Sequence, residues 1–267
     1  MSTTKIAIHG AAGRMGRRLV ALAADDPQIE MVAALESGNC PRLTADAGVV
    51  AGVGAIGLPI VSALDDGIAL DVVIDFSLPA GAASVAARSA ERGVPLVVAT
   101  TGLDEGQAQT IRSAAERVPI VWSPNTSLAV NLTMKLCQVV GAALADHPAG
   151  VDVEIIEWHH RYKEDAPSGT ALKFGELIAS EMGQSHRQHG RQGRPGQRPR
   201  EEIGFHAVRA GDHPGEHRIL FGMPGESIEL RVAATSRDAY AQGALVAARW
   251  VPDQPPGLYG MQQVLGL

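Results

Sequence analysis

Ile6-Ala7-Ile8-His9-Gly10-Ala11-Ala12-Gly13-Arg14-Met15-Gly16 runs from a short apolar stretch through a glycine turn into a basic, alanine-rich segment. The order strand, glycine turn, helix is the context in which spaced glycines carry meaning. The first glycine allows a sharp turn, the next lets backbone approach a pyrophosphate, and the last lets the helix pack closely on the sheet. An anion then sits on the helix N-terminus, where unpaired N–H groups and the helix dipole favour negative charge. The spacing is Gly-x-x-Gly-x-x-Gly, not the commoner Gly-x-Gly-x-x-Gly, so a plain strand-turn-helix stays open as the alternative.

Outward from this turn, apolar runs at 31–35, 72–76, 96–99 and 120–122 alternate with helical stretches at 14–24, 80–92 and 105–117. Fully apolar strands interleaved with helices imply a parallel sheet covered on both faces, a Rossmann-like doubly wound α/β domain. Beyond a long helical stretch at 128–145 the pattern changes. Runs at 151–158, 203–208, 217–221 and 227–232 alternate apolar with polar residues, as strands of a sheet with one solvated or interface-facing side do. The alanine-rich stretch 238–250 returns to helix and is expected to pack on the first domain. Residues 1–127 with 238–267 therefore read as a dinucleotide-binding domain, and 128–237 as a second, α+β domain.

The 267 residues, 45% of them hydrophobic, are enough for two real cores, which excludes a disordered or fibrous chain. A net charge of −6 gives no general attraction to nucleic acid or to an anionic membrane, so an anionic ligand needs a local positive site. Cys40 and Cys137, the only cysteines, form no metal-ligand or disulfide pattern. They suit a reducing compartment, and the first ten residues lack the long apolar core of a signal peptide, so a cytoplasmic location is expected. Asn131, Lys135 and Gln138 interrupt the 128–145 stretch, which reads as a buried core helix and not as a membrane span. The segment 184–200 places Arg187, Arg191, Arg194, Arg198 and Arg200 among Gly, Gln, His and Pro. It reads as a mobile, solvated loop; a nucleic-acid arm is the alternative, but no aromatic residues are interleaved to stack on bases.

Glu36 ends the second apolar run, where an acid is expected to hold the adenosine ribose hydroxyls. The following Ser37-Gly38-Asn39 supplies no cation for a 2′-phosphate, although Arg14 or Arg17 is within reach, so NADH is favoured over NADPH. Asp75-Phe76-Ser77, Thr100-Thr101-Gly102 and Ser123-Pro124-Asn125 lie at strand ends, where open α/β sheets bind ligands; they line the nicotinamide end or are simply turn residues.

The stretch 153–171 contains His159-His160-Arg161-Tyr162-Lys163 and then Ser168-Gly169-Thr170 at a helix start. Hydroxyls and N–H groups at such a start bind carboxylate or phosphate, and with the neighbouring cations they make the required anion site, suited to a substrate with one or two carboxylates. Histidine as a residue type titrates near neutrality and a lysine crowded by cations loses basicity, so His159 and Lys163 are candidates for proton transfer, against the alternative of a capped strand end with solvated charges. A metal held by His159, His160, His213 and His217 is the competing site. Pro214 and Gly215 break the 213–217 segment, so it cannot put two ligands on one helical face, and no metal is expected.

With 10–16, 75–77, 100–102, 157–171 and 209–217 in this order, the chain resembles the 4-hydroxy-tetrahydrodipicolinate reductase family from end to end. The run His159-His160-x-x-Lys163-x-Asp165-Ala166-Pro167-Ser168-Gly169-Thr170 is specific to that family, whereas the glycine turn is shared with many dehydrogenases. The resemblance implies NAD(P)H-dependent reduction of a cyclic hydroxy-dicarboxylate, made from aspartate semialdehyde and pyruvate, on the route to diaminopimelate and lysine. It implies a homotetramer built on the second-domain sheets, with neither nucleic acid nor membrane as partner. His159 then matches the proton donor, Lys163 a second acid or polarising cation, and His160, Ser168, Gly169 and Thr170 the substrate contacts. Gly10, Ala11, Ala12, Gly13, Arg14, Met15, Glu36, Ala99, Thr100, Thr101, Ser123, Pro124, Asn125 and Thr126 match the cofactor-binding stretches. Three positions depart from the family. Ser37 stands where many members carry the arginine that receives a 2′-phosphate, Ala99 replaces a glycine, and Thr126 stands where Phe or Met often packs near the nicotinamide. The rival readings are an NAD-dependent dehydrogenase of an aspartate-like amino acid and a protein that binds NADH without turnover.

Overall fold

A computed structural model describes residues 3–267. Its contacts divide into two units, one formed by the chain up to Leu128 together with Arg237–Leu267, the other by Ala129–Ser236.

In the first unit β1 (Thr4–His9), α1 (Arg14–Asp25), β2 (Ile29–Leu35), α2 (Ala47–Ala51), β3 (Ile60–Val61), β4 (Val72–Asp75), α3 (Pro79–Arg92), β5 (Leu96–Val98), α4 (Glu105–Ala115) and β6 (Pro119–Trp122) follow one another. After the second unit the chain returns as α7 (Asp238–Trp250), β12 (Gly257–Tyr259) and α8 (Met261–Val264). The strands form one parallel sheet in the order β12-β6-β5-β4-β1-β2-β3. Strand order reverses between β1 and β4, which is where an open α/β sheet takes its ligand.

The strand centres are apolar because each side of the sheet is covered. Ile6, Ile8 and Ile74 pack with Leu19 and Val20 of α1 and Ala244 and Leu245 of α7. Ala7, Val73 and Leu96, pointing the other way, pack with Ala82 and Ala86 of α3 and Ile111 of α4. Ion pairs fix α7 on this unit: Arg18 grips Asp238 with two bonds of 2.6 and 2.9 Å, and Arg249 reaches Asp26 at 2.6 Å. The elements α2, β3 and β12 lie outside the alternation visible in the sequence; each has two to five residues, too few to show a period.

The second unit contains α5 (Leu128–Leu144), which begins at the last residue of the first, then β7 (Asp152–His159), α6 (Gly169–Met182), β8 (His186–His189), β9 (Glu202–Arg209), β10 (Gly215–Met223) and β11 (Glu226–Ala234). Its sheet order is β11-β10-β7-β9-β8, antiparallel from β11 to β7 and parallel from β7 to β8. Alternation on β7 buries Val153, Ile155, Glu157 and His159 and turns Ile156 and Trp158 outward. The apolar members of the inner face join Phe174 and Ile178 of α6 and Met134 and Cys137 of α5 in one core.

Two expectations are corrected. The helix α5 is buried on one face only: Asn131, Thr133 and Cys137 point inward, while Leu132, Leu136 and Val139 are exposed. Among the described residues no helix is long and apolar enough to cross a membrane. The arginine-rich segment is not a free solvated loop either. Residues 186–189 form β8 on the edge of the sheet, and Arg191 and Arg198 both bind the carboxylates of Glu154 and Glu202. Arg198 adds Asp152 at 2.9 Å. Composition counted the cations, but the carboxylates that neutralise them lie on β7 and β9, outside the segment.

Candidate active site

In the first unit the candidate nucleotide site grows from the end of β1. Gly10 turns the chain with a φ of 82°, and its N–H and that of Ala11 donate to the Leu35 carbonyl at 2.9 and 3.0 Å, tying the turn to the end of β2. A Cβ on Gly10 would lie 2.7 Å from the Phe76 carbonyl oxygen, and one on Gly16 would lie 2.0 Å from that of Gly10. Gly13 caps α1 without a side-chain hydrogen bond, so the amides of Arg14 and Met15 open the helix as an anion site. These observations fit a dinucleotide pyrophosphate.

Glu36 folds back on the turn, one carboxylate oxygen accepting from the Ala12 N–H at 3.0 Å and the other from the Ser37 N–H at 3.1 Å. Beside it a pocket of about 220 Å³ is lined by Glu36, Ser37, Ser62, Gly81, Ser84 and Arg88, among others. It has the position and size for an adenosine moiety and was not foreseen from sequence, because its walls come from β2, α3 and the loop after β3.

At the neighbouring strand ends, Asp75 is fully buried and joins three elements. It accepts from Ser77 at 2.6 Å and from the Thr100 hydroxyl, and lies 2.7 Å from His9 Nδ1. Ala99 is buried with its N–H on the Asp75 carbonyl, whereas Thr101 is exposed. Ser123 donates to the Asn125 carbonyl at 2.7 Å, and the Asn125 side chain accepts from the Ser127 N–H, so 123–127 is a self-braced turn with Pro124 exposed. Thr126 commits its side chain to the fold. It is buried with its hydroxyl on the Tyr240 carbonyl at 2.6 Å, so only its backbone is available to a ligand.

The cluster of the second unit is organised by Glu157. Residues two apart on a strand share a face, so Glu157 and His159 point the same way, and strand register puts His217 beside Glu157 and Arg209 beside His159. The Glu157 carboxylate is 1% exposed; it binds His159 Nδ1, accepts from Arg209 at 2.7 and 2.8 Å, and accepts from the Ser168 N–H at 3.0 Å. Burial pushes this carboxyl up, but the bonds from His159, Arg209 and the Ser168 amide outweigh it and bring it to about 2, so the group is ionised. With Nδ1 committed to Glu157, the His159 ring keeps Nε2 for other work. A Cβ on Gly215 would come within 2.9 Å of that atom, so the bare glycine leaves the space beside it open.

His217 stacks edge-on to His159 with ring centres 5.3 Å apart, and its Nε2 lies 3.2 Å from Ser168 Oγ. Burial, aided by the positive field of His159, lowers its pKa to about 4, so it is neutral near pH 7. Lys163 pairs with Asp165 at 2.8 Å; the crowding by cations expected from sequence neighbours gives way to a carboxylate partner. Ser168 is tied into the fold through both its N–H and its hydroxyl. It is buried and its hydroxyl caps α6 by accepting from the Ala171 N–H at 3.2 Å, so it shapes the helix start, while Gly169 is exposed and Thr170 half-buried at that start. His160 is half-buried, its N–H on the His213 carbonyl at 2.9 Å. Glu157 and Arg209 were missed as functional residues. Glu157 carried a signal, its period-2 relation to His159; Arg209 carried none, since only register brings it there.

Residues 4–126 match the family model described as dihydrodipicolinate reductase, N-terminus, and residues 129–265 match the one described as dihydrodipicolinate reductase, C-terminus. A protein of Rhodopirellula baltica named 4-hydroxy-tetrahydrodipicolinate reductase is 54% identical, the match covering 98% of this chain and 96% of that one. A protein of the same name from Alkalilimnicola ehrlichii is 46% identical, with 99% and 100% covered. Among solved structures, a dipicolinate-bound dihydrodipicolinate reductase from Paenisporosarcina sp. TG-14 superimposes with a TM-score of 0.77 at 27% identity, covering 98% of this chain and 99% of that one. An amine dehydrogenase from Mycobacterium smegmatis, 11% identical with a TM-score of 0.63 and 96% and 94% covered, shares the fold alone. The chain belongs to the dihydrodipicolinate reductase family, an enzyme family whose first domain takes a nicotinamide nucleotide.

Proposed function

We propose that the chain reduces 4-hydroxy-tetrahydrodipicolinate to tetrahydrodipicolinate, on the route to diaminopimelate and lysine, with NADH preferred to NADPH. The observation that carries this reading is the Glu157 hub: one ionised carboxylate fixes both the His159 ring and the start of α6. A proton-transfer group and an anion-binding helix end are thereby held at set positions, which is what reduction of a ring dicarboxylate needs. Relatives carrying the reductase name over nearly the whole chain support the reading.

Replacing a ring hydroxyl by hydrogen takes up a hydride and a proton and releases water. When bound, the reduced nicotinamide supplies the hydride. Lys163, held by Asp165, and His159, through Nε2, are the acids for the proton. Glu157 keeps the ring oriented and compensates its charge when it is protonated. His160, Gly169 and Thr170 contact the substrate carboxylates, with Ser168 setting the helix start that presents them. In the first unit Gly10, Ala11, Ala12, Gly13, Arg14 and Met15 receive the pyrophosphate and Glu36 the ribose. Ala99, Thr100, Thr101, Ser123, Pro124, Asn125 and the Thr126 backbone flank the nicotinamide. Copies of the chain assemble as a homotetramer through the outer face of the second sheet, where Ile156, Trp158 and Val208 are exposed.

The test generates the hydroxy-dicarboxylate in situ from aspartate semialdehyde and pyruvate with its synthase, and follows the absorbance of NADH and NADPH. Consumption of NADH at the higher kcat/KM is expected. No consumption of either nucleotide overturns the reading.

A further inference from the structure

The adenosine-sized pocket of the first unit carries a feature that the glycine turn and Glu36 leave unused. Gly81, Ser84, Arg88 and Arg92 recur along one face of α3, and all four line the same space of about 220 Å³ as Glu36 and Ser37. The two small residues open the pocket and the two arginines charge it. Glu36 has both oxygens on backbone N–H groups, which offsets part of its repulsion of a further anion.

The arginines are not equivalent. Arg92 is 18% exposed and built in, donating to the carbonyls of Asp66 and Ile68 at 3.2 and 3.1 Å. Arg88 is 49% exposed, and among the described residues its ion-pair partner is Asp66, itself 84% exposed, at 3.4 Å. Water competes well with such a surface pair, so the guanidinium is available to a better acceptor. A phosphate monoester is one, since the planar fork of arginine binds it through two parallel hydrogen bonds.

We propose that Arg88 is the 2′-phosphate contact of this chain, so that NADPH is accepted alongside NADH although Ser37 offers no cation after Glu36. The proposal rests on the reading of the first unit as the nucleotide site. Arg88 exchanges Asp66 for the phosphate, and Arg92 stays in place as a second positive charge in the wall.

The test is calorimetric titration of the full chain, without substrate, using ADP and 2′,5′-ADP as probes that differ by the 2′-phosphate. The wild type is expected to bind both. Arg88→Met should weaken 2′,5′-ADP at least tenfold more than it weakens ADP, and Arg88→Lys, which keeps the charge without the fork, should fall between. Adding Ser37→Arg to Arg88→Met should restore 2′,5′-ADP binding. Equal weakening of both probes, or no change in either, overturns the proposal, as does a wild type that binds ADP but not 2′,5′-ADP. A wild type that binds neither ADP nor NADH removes the nucleotide reading itself, and the proposal with it.

Discussion

At the Gly10 turn of the first unit the groups left open are main-chain amides and the gaps of missing side chains, whereas the β7 cluster of the second unit is built of polar side chains that hold one another. The turn at Gly10 gains its shape from carbonyl contacts at Leu35 and Phe76, and no charged side chain caps the helix behind it. The cluster on β7 works the other way: Glu157, Arg209, His159 and His217 hold one another in place, and this setting keeps the Glu157 carboxyl ionised and His217 neutral. A backbone site tolerates most side-chain changes nearby and fails when a Cβ intrudes. A side-chain site survives small shifts of backbone and fails when one charge is removed or one proton is added.

The difference can be broken most severely at Gly16. A methyl group there meets the Gly10 carbonyl oxygen at 2.0 Å, and backbone has to move. Gly16→Ala is expected to cost about 3 kcal/mol of stability, the upper end for overpacking, and to abolish NADH binding, read by thermal melting and by nucleotide fluorescence. Normal NADH affinity in that variant would show that the turn is not the pyrophosphate cradle. Next comes Lys163→Ala, which leaves the first unit untouched. It should lower kcat about a hundredfold, ~2.7 kcal/mol in barrier, with the NADH dissociation constant unchanged. Turnover at the wild-type rate would remove Lys163 from proton transfer.

The smallest effect sharpens the contrast through pH. His217 titrates at about 4 in the fold against 6.5 in the unfolded chain. Between those values the unfolded chain binds a proton that the folded chain does not, so stability falls as pH drops from 6.5 to 4. The expected loss is on the order of 2 kcal/mol. Below 4.5 the protonation of unfolded Glu157, whose folded carboxyl stays ionised to about 2, continues the decline. Melting temperatures taken between pH 8 and pH 4 should show this slope, and His217→Gln should flatten its upper part. An unaltered slope in the variant assigns the effect elsewhere.

Much of this contrast was legible before any coordinates. The strands of the first sheet announce themselves because both faces are covered, which leaves runs such as 72–74 apolar without alternation. The helix start at Ser168 was legible from its residue type, and so was the His159–Lys163 cluster. What stayed hidden depends on register. Nothing near Arg209 or His217 in sequence says that β9 and β10 set them beside His159 and Glu157. The histidines 213 and 217 invited a metal reading. Instead His213 stacks on Trp158 with ring centres 4.9 Å apart, and His217 lies as a neutral neighbour beside His159. Ser168 reads as a ligand contact from its place at a helix start and Thr126 from the family resemblance, and neither signal shows that both hydroxyls close internal bonds.

The arginine-rich segment has one more consequence. Arg191 and Arg198 anchor it to Glu154 and Glu202 through charge, while the helices and strands around it are anchored by apolar area. Apolar burial strengthens in salts that are excluded from protein surface, whereas ion pairs near the surface weaken as the screening length contracts from about 10 Å at 0.1 M to about 3 Å at 1 M. Salt therefore acts on the two anchors in opposite directions. It supports the apolar core and loosens the charged attachment of residues 184–200, more at the half-exposed Arg191 than at Arg198.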